Sequence, residues 1–128
     1  MRVLLDTNAL IYTYVWPERL SKAWRTVLVD TALQPMTSVA CLWEIAIKSV
    51  KHPDRFKVSA KDLLTQAEAD GMSILPIVSD RIFEASELPL HHGDPFDRLI
   101  IAEARAHNAA VMTTDRIFSR YDVELVVA

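Results

Sequence analysis

The sequence predicts an α/β protein with three layers, α/β/α, around a central parallel sheet of about five strands. Three observations carry this prediction. Short strand-like runs at Val3–Leu5, Met36–Ser38, Ser73–Val78, Ala109–Thr113 and Val123–Val127 alternate with segments of helical period. Strands that alternate with helices pair in parallel and are covered on both faces. Val3-Leu4-Leu5 is apolar without alternation, as a strand buried on both faces must be. Finally, 128 residues with 51% apolar and 24% charged side chains suit one soluble domain, residues 1–128, with a sizeable core.

The first strand stops at the polar triplet Asp6-Thr7-Asn8, and an apolar, aromatic helix runs from Ala9 to Trp16, closed by Pro17. Glu18 to Leu33 reads as a second helix with Leu20, Trp24, Val27 and Leu28 on one face, ended by Gln34-Pro35. After the strand Met36-Thr37-Ser38, Ser38 is a good N-cap for the next helix. There Val39, Leu42, Trp43, Ala46, Ile47 and Val50 follow the cleanest helical period in the chain, and the helix ends before Pro53. A further helix covers Ala60 to Ala69, with Gly71 as its C-cap. Pro76 places the run Ser73–Val78 at a sheet edge or marks its end. Helices follow over Asp80–Leu88 and from Asp94 to about His107, then the strand AAVMT, a short helix Asp115–Arg120, and a last strand.

Composition excludes several classes. Gly71 and Gly93 are the only glycines, so neither a dinucleotide fingerprint nor a Walker loop is present. Cys41, alone, forms no internal disulfide and no Cys-rich zinc site; in an apolar helix it suits a buried thiol in a reducing cytosol. The sequence has no leader and no apolar stretch of about 18 residues, so a cytoplasmic protein without a membrane partner is expected. A formal net charge of −3 points away from permanent residence on nucleic acid and towards local or enzymatic contact.

Four carboxylates stand where such a fold concentrates chemistry, beyond the carboxyl ends of its strands. Each also has a structural reading. Asp6 follows the first strand, where it either serves a site or caps the next helix. Glu44 lies about 130° from the centre of its helix's apolar stripe at 100° per residue, and Lys48 offers it a solvated i,i+4 ion pair. Asp97 shares a face with Ile100, Ile101 and Ala104, while Arg98 and Arg105 form the solvated stripe; with Asp94 as N-cap and Pro95 at N1, it can also close a capping box. Asp115 follows AAVMTT and can cap the short helix. His91-His92 lack a second His or Cys at ligand spacing, which argues against zinc. Tyr12, Tyr14 and Trp16 suit core or subunit contact better than base stacking.

Taken together, the acids favour one chemistry. Two carboxylates 4 Å apart repel by about 4 kcal/mol at an effective dielectric of about 20. A hard divalent cation, Mg2+ or Mn2+, neutralises such a cluster and can activate water for in-line attack on a phosphodiester. No Ser, Cys or His constellation competes, and nothing points to an organic cofactor.

The blocks LLDTNALIY, SVACLWEIAIK, LPLHHGDPFDRLIIAEA and VMTTDRIFSRY span the chain in order and resemble the PIN-domain family, most closely its VapC-type toxins. The resemblance implies a PIN-like α/β/α fold and a homodimer. It also implies Mg2+- or Mn2+-dependent cleavage of an RNA substrate and inhibition by a small cognate antitoxin protein. By motif, the catalytic and metal-binding acids are Asp6, Glu44, Asp97 and Asp115, supported by Thr7, Asn8 and Thr114. Lys48, Arg98 and Arg116, near these acids in sequence, are candidates for phosphate contacts. Gly93 departs from the basic residue often found there in relatives. Two alternatives remain: a phosphatase with Asp6 as aspartyl nucleophile, which usually needs a second acid where this chain has Asn8, and a non-catalytic RNA- or protein-binding module of the same fold.

Overall fold

Five parallel strands and six α-helices make up the described residues, 1–126, of the computed structural model. The strands are β1 (Arg2–Leu5), β2 (Gln34–Ser38), β3 (Ser73–Leu75), β4 (Ala110–Met112) and β5 (Leu125–Val126). The helices are α1 (Thr7–Tyr14), α2 (Lys22–Leu28), α3 (Val39–Lys51), α4 (Ala60–Ala69), α5 (Ser79–Glu87) and α6 (Pro95–Ala106), with 3-10 turns at Pro17–Arg19 and Arg116–Arg120. Val3, Leu4 and Leu5 are all fully buried, so both faces of β1 are covered and the three-layer α/β/α prediction holds.

The sheet order is β3-β2-β1-β4-β5, with every pairing parallel. From β1 the chain steps outward through β2 to β3, then returns to the other side of β1 as β4. The carboxyl ends of β1 and β4 therefore flank the point where strand order reverses, the usual ligand crevice of open parallel sheets.

Two expectations near β2 need correction. The stretch Glu18–Leu33 is not one helix: Ser21 accepts from the Trp24 N–H at 3.1 Å and starts α2 anew, and α2 ends at Leu28. Pro35 does not terminate a helix but lies within β2. Its missing N–H does no harm, because β3 pairs only from Met36 onward and leaves that side of Pro35 without a neighbour. At β3 the proline reading holds: the strand is at the edge and ends before Pro76. The expected last strand is trimmed to Leu125–Val126, and its final residue, Val127, lies outside the described residues.

Helix ends follow the local chemistry. Gly71, at φ +83°, closes α4 with the Gly71 N–H on Glu68 O and the Met72 N–H on Ala67 O, both 3.0 Å. Asn108, at φ +50°, does the same for α6. Cys41 is buried as expected, and burial pushes its thiol up to about 12. Among the described residues no helix is long and apolar enough to cross a membrane.

The face α3 turns inward is not its most periodic stripe. Ala40, Cys41 and Ile45 are buried, whereas Trp43 is 62% and Val50 81% exposed. The helix is apolar on two sides, and the outward one joins Ile77, Ile82, Leu90 and Phe96 along an open, apolar groove of about 700 Å³. A buried carboxyl is the second anomaly. Glu103 of α6 is 1% exposed, and neither of its oxygens has a hydrogen-bond partner. Burial pushes it up to about 7, with the nearby Ser38 hydroxyl and the Arg81 guanidinium opposing.

Candidate active site

Asp6 occupies the crevice directly. It follows the last residue of β1, and its N–H donates to Met112 O at 3.2 Å, tying it to the end of β4. One carboxylate oxygen accepts from the Ala9 N–H at 2.8 Å as the N-cap of α1, and the Thr113 hydroxyl is near the same carboxylate. Burial pushes the Asp6 carboxyl up to about 6; the charges of Glu44 and Asp115 add to this, while the Thr113 hydroxyl and the Ala9 N–H oppose it.

The remaining acids converge from three other segments. Glu44 reaches in from α3 and accepts a 2.6 Å hydrogen bond from Thr7 Oγ1. No Glu44–Lys48 ion pair is present among the described residues, so the solvated-pair reading fails. Lys48 lies instead over the Phe56 ring, 5.5 Å from its centre. Asp115 caps the second 3-10 turn, accepting from the Ile117 N–H at 2.9 Å, and its own N–H donates to Thr113 Oγ1 at 3.0 Å.

Asp97 sits at the third position of α6. Asp94 caps that helix as expected, accepting from the N–H groups of Phe96 at 2.8 Å and Asp97 at 3.4 Å. The return bond of a capping box is missing, because the Asp94 N–H donates to His92 Nδ1 at 3.1 Å. The Asp97 carboxylate is thereby left for the crevice. Burial pushes it up to about 7, reinforced by Asp94, Asp6 and Glu44 and opposed by His92.

His92 is the residue that sequence reasoning missed. It is buried, and its Nε2 lies 2.7 Å from Asp115 Oδ2 and 3.0 Å from Asp97 Oδ2. These three polar atoms all fall within 4.8 Å of one another. At that spacing two ionised carboxylates repel by about 3 kcal/mol at an effective dielectric of about 20. Spacing rules failed to find His92 because its partners lie at the start of the next helix and 23 residues further on.

Other expected residues fall elsewhere. Thr7 supports Glu44 as the motif implied, but Asn8 and Thr114 are exposed and make no side-chain hydrogen bond among those found. Thr113, one residue earlier, is buried, accepts from the Asp115 N–H and has its hydroxyl near Asp6. Arg98 is corrected outright. It is not on a solvated stripe and does not face phosphate. It is buried, and its guanidinium donates to the carbonyls of Ala85, Leu88, Pro89 and His92 at 2.7–3.2 Å. Arg116 is exposed beside Asp115.

The donor set is chemically suited to a divalent cation. Asp6, Glu44, Asp97 and Asp115 offer hard oxygens, and two of them are forced upward in pKa by burial and by one another. A cation would remove both penalties.

The fold is similar to that of VapBC2 from Rickettsia felis bound to a DNA fragment from their promoter, with 18% identity and a TM-score of 0.73 over 100% of this chain and 99% of that one. It is also similar to VapBC-1 from nontypeable Haemophilus influenzae, with 17% identity and a TM-score of 0.65 over 98% and 96% of the two chains. A toxin-antitoxin complex from Klebsiella pneumoniae matches at 19% identity and a TM-score of 0.64 over 98% and 95%. No curated protein matches the chain. The family model described as the PIN domain matches residues 3–124, nearly the whole sequence, and the chain belongs to the PIN domain family.

Proposed function

We propose that this protein is a divalent-metal-dependent endoribonuclease and the toxin of a toxin–antitoxin pair. One observation carries the reading: carboxylates from four separate segments act on one another. Burial raises Asp6 to about 6 with Glu44 and Asp115 adding to it, and raises Asp97 to about 7 with Asp6 and Glu44 among the charges adding to it. Asp6, Glu44, Asp97 and Asp115 would hold Mg2+ or Mn2+, which supplies water activation and charge stabilisation at the leaving oxygen of a phosphodiester.

The chain's own residues do the positioning. The Ala9 N–H fixes Asp6, Thr7 fixes Glu44, and the Ile117 N–H and His92 fix Asp115. Arg116, exposed and next to Asp115 in the chain, is a candidate to meet a phosphate. A net charge of −3 fits brief contact with RNA rather than permanent binding.

The similar structure from Klebsiella pneumoniae is a toxin-antitoxin complex, which supports a small cognate antitoxin as partner. The groove lined by Trp43, Ile77, Ile82, Leu90 and Phe96 supports a homodimer, since isolated soluble domains seldom leave such an apolar surface open. The test is direct. Purified protein incubated with RNA and Mg2+ or Mn2+ cleaves internally, and chelator or Asp97→Asn abolishes the cleavage. Full activity of Asp97→Asn, or activity indifferent to chelator, refutes the proposal.

A further inference from the structure

We infer that His92 is a positioning residue, an N–H clamp that aims Asp97 and Asp115 at the crevice, and not a ligand to the cation. The inference rests on the metal-dependent reading above. By spacing alone, His92, Asp97 and Asp115 would equally make a three-ligand cation site, because their polar atoms lie within 4.8 Å. The far side of the imidazole decides between the two roles.

An imidazole that binds metal through Nε2 carries its proton on Nδ1 and donates it to a carbonyl or carboxylate. In this protein Nδ1 faces a donor, the Asp94 N–H at 3.1 Å. It must present a lone pair there, so the proton belongs on Nε2. A protonated Nε2 is a donor and has no lone pair for a metal. It donates to Asp115 Oδ2 at 2.7 Å and stands 3.0 Å from Asp97 Oδ2. Turning the ring over would put carbon at both nitrogen positions and break the contacts on both sides.

The rest of the surroundings hold this tautomer in place. The His92 N–H donates to Tyr121 Oη at 2.8 Å, and the Tyr121 hydroxyl donates to Pro89 O at 2.7 Å. The His92 carbonyl accepts from Arg98 at 3.2 Å, and the ring stands edge-on to Phe118 at 5.8 Å. Asp115 is pinned from its other oxygen by the Ile117 N–H. The Nε2 proton thus holds Asp115 by a hydrogen bond and sits close beside Asp97, keeping the two carboxylates side by side at the crevice.

Two measurements test this. Long-range 1H–15N correlation of the full chain, at one fixed pH, should show the Nε2–H tautomer of His92 without metal and unchanged after Mg2+ is added. An Nδ1–H tautomer in the metal-free protein, or transfer of the proton to Nδ1 on adding Mg2+, overturns the clamp. Mn2+ titration calorimetry should find His92→Ala about 10–100-fold weaker than wild type, the usual loss for a group that orients a ligand. His92→Gln, whose amide N–H reaches about as far as Nε2, should restore affinity to within about threefold. Equal losses in both variants overturn the inference. Wild-type protein that binds neither ion would refute the metal-dependent function, while the metal-free tautomer still tests the clamp itself.

Discussion

Replacing Glu103 by glutamine should stabilise the protein at neutral and alkaline pH while leaving it unchanged in acid. The Glu103 carboxyl is 1% exposed without a hydrogen-bond partner and is pushed from 4.5 to about 7 by burial. A folded-state value above the unfolded one means the native chain binds more protons between those limits, so stability falls as pH rises through them. At about 1.4 kcal/mol per pH unit the penalty is absent below about 4.5 and reaches about 3 kcal/mol above about 7. Glutamine keeps the shape and removes the ionisation. Urea unfolding at pH 5 and pH 8 measures the difference. With an m-value of about 2 kcal/mol/M, the Glu103→Gln midpoint should exceed wild type by about 1.5 M at pH 8 and by far less at pH 5. Asp6 and Asp97 titrate in the same window but are common to both proteins, so they cancel in the comparison. Parallel pH profiles for the two proteins would refute the reasoning.

Three further outcomes are expected. Mg2+ should raise the thermal midpoint more at pH 8 than at pH 5, because Asp6 at about 6 and Asp97 at about 7 must lose their protons to bind it. In Asp97→Asn the increment should largely vanish while the metal-free protein gains stability at pH 8, both read by calorimetry. Arg98→Ala should cost at least about 3 kcal/mol in urea unfolding, since the Ala85, Leu88 and His92 carbonyls lose a buried guanidinium donor; a near-neutral change would mean the guanidinium is not a structural tie. Trp43→Glu should give monomers in sedimentation analysis while the circular dichroism stays native, because Trp43 is 62% exposed on the apolar groove.

The sheet was legible because its signals are local. Val3-Leu4-Leu5 stops at a polar triplet, and Ser38 and Asp94 cap helices where the pattern places them. Pro35 misled because a strand tolerates proline where no neighbouring strand has begun, and that depends on β3, nearly 40 residues away. Helix α3 misled in a different way: periodicity identifies an apolar stripe but not what covers it. The same error made Glu44 look peripheral, when the angle that removes it from the stripe turns it towards Thr7. All four acids of the proposed site were singled out, but each could also be read as a cap or an ion-pair partner on sequence grounds. Asp6 and Asp115 turn out to be caps and members of the cluster at once, one oxygen for each task. His92 was set aside and Arg98 read as solvated, because both are defined by partners that only the fold brings near.

That double use of Asp6 and Asp115 has a genetic consequence. Aspartate and asparagine codons differ by a single transition, and asparagine is as good an N-cap as aspartate. Either substitution removes a charge from the crevice and leaves the helix start intact. If the protein is toxic to its cell, harmless descendants lie one base change away and still fold. They would retain the surfaces that meet a partner and go on sequestering it, so a silenced copy would act as a competitor to any active one in the same cell. Alanine variants lose cap and charge together and would hide this distinction.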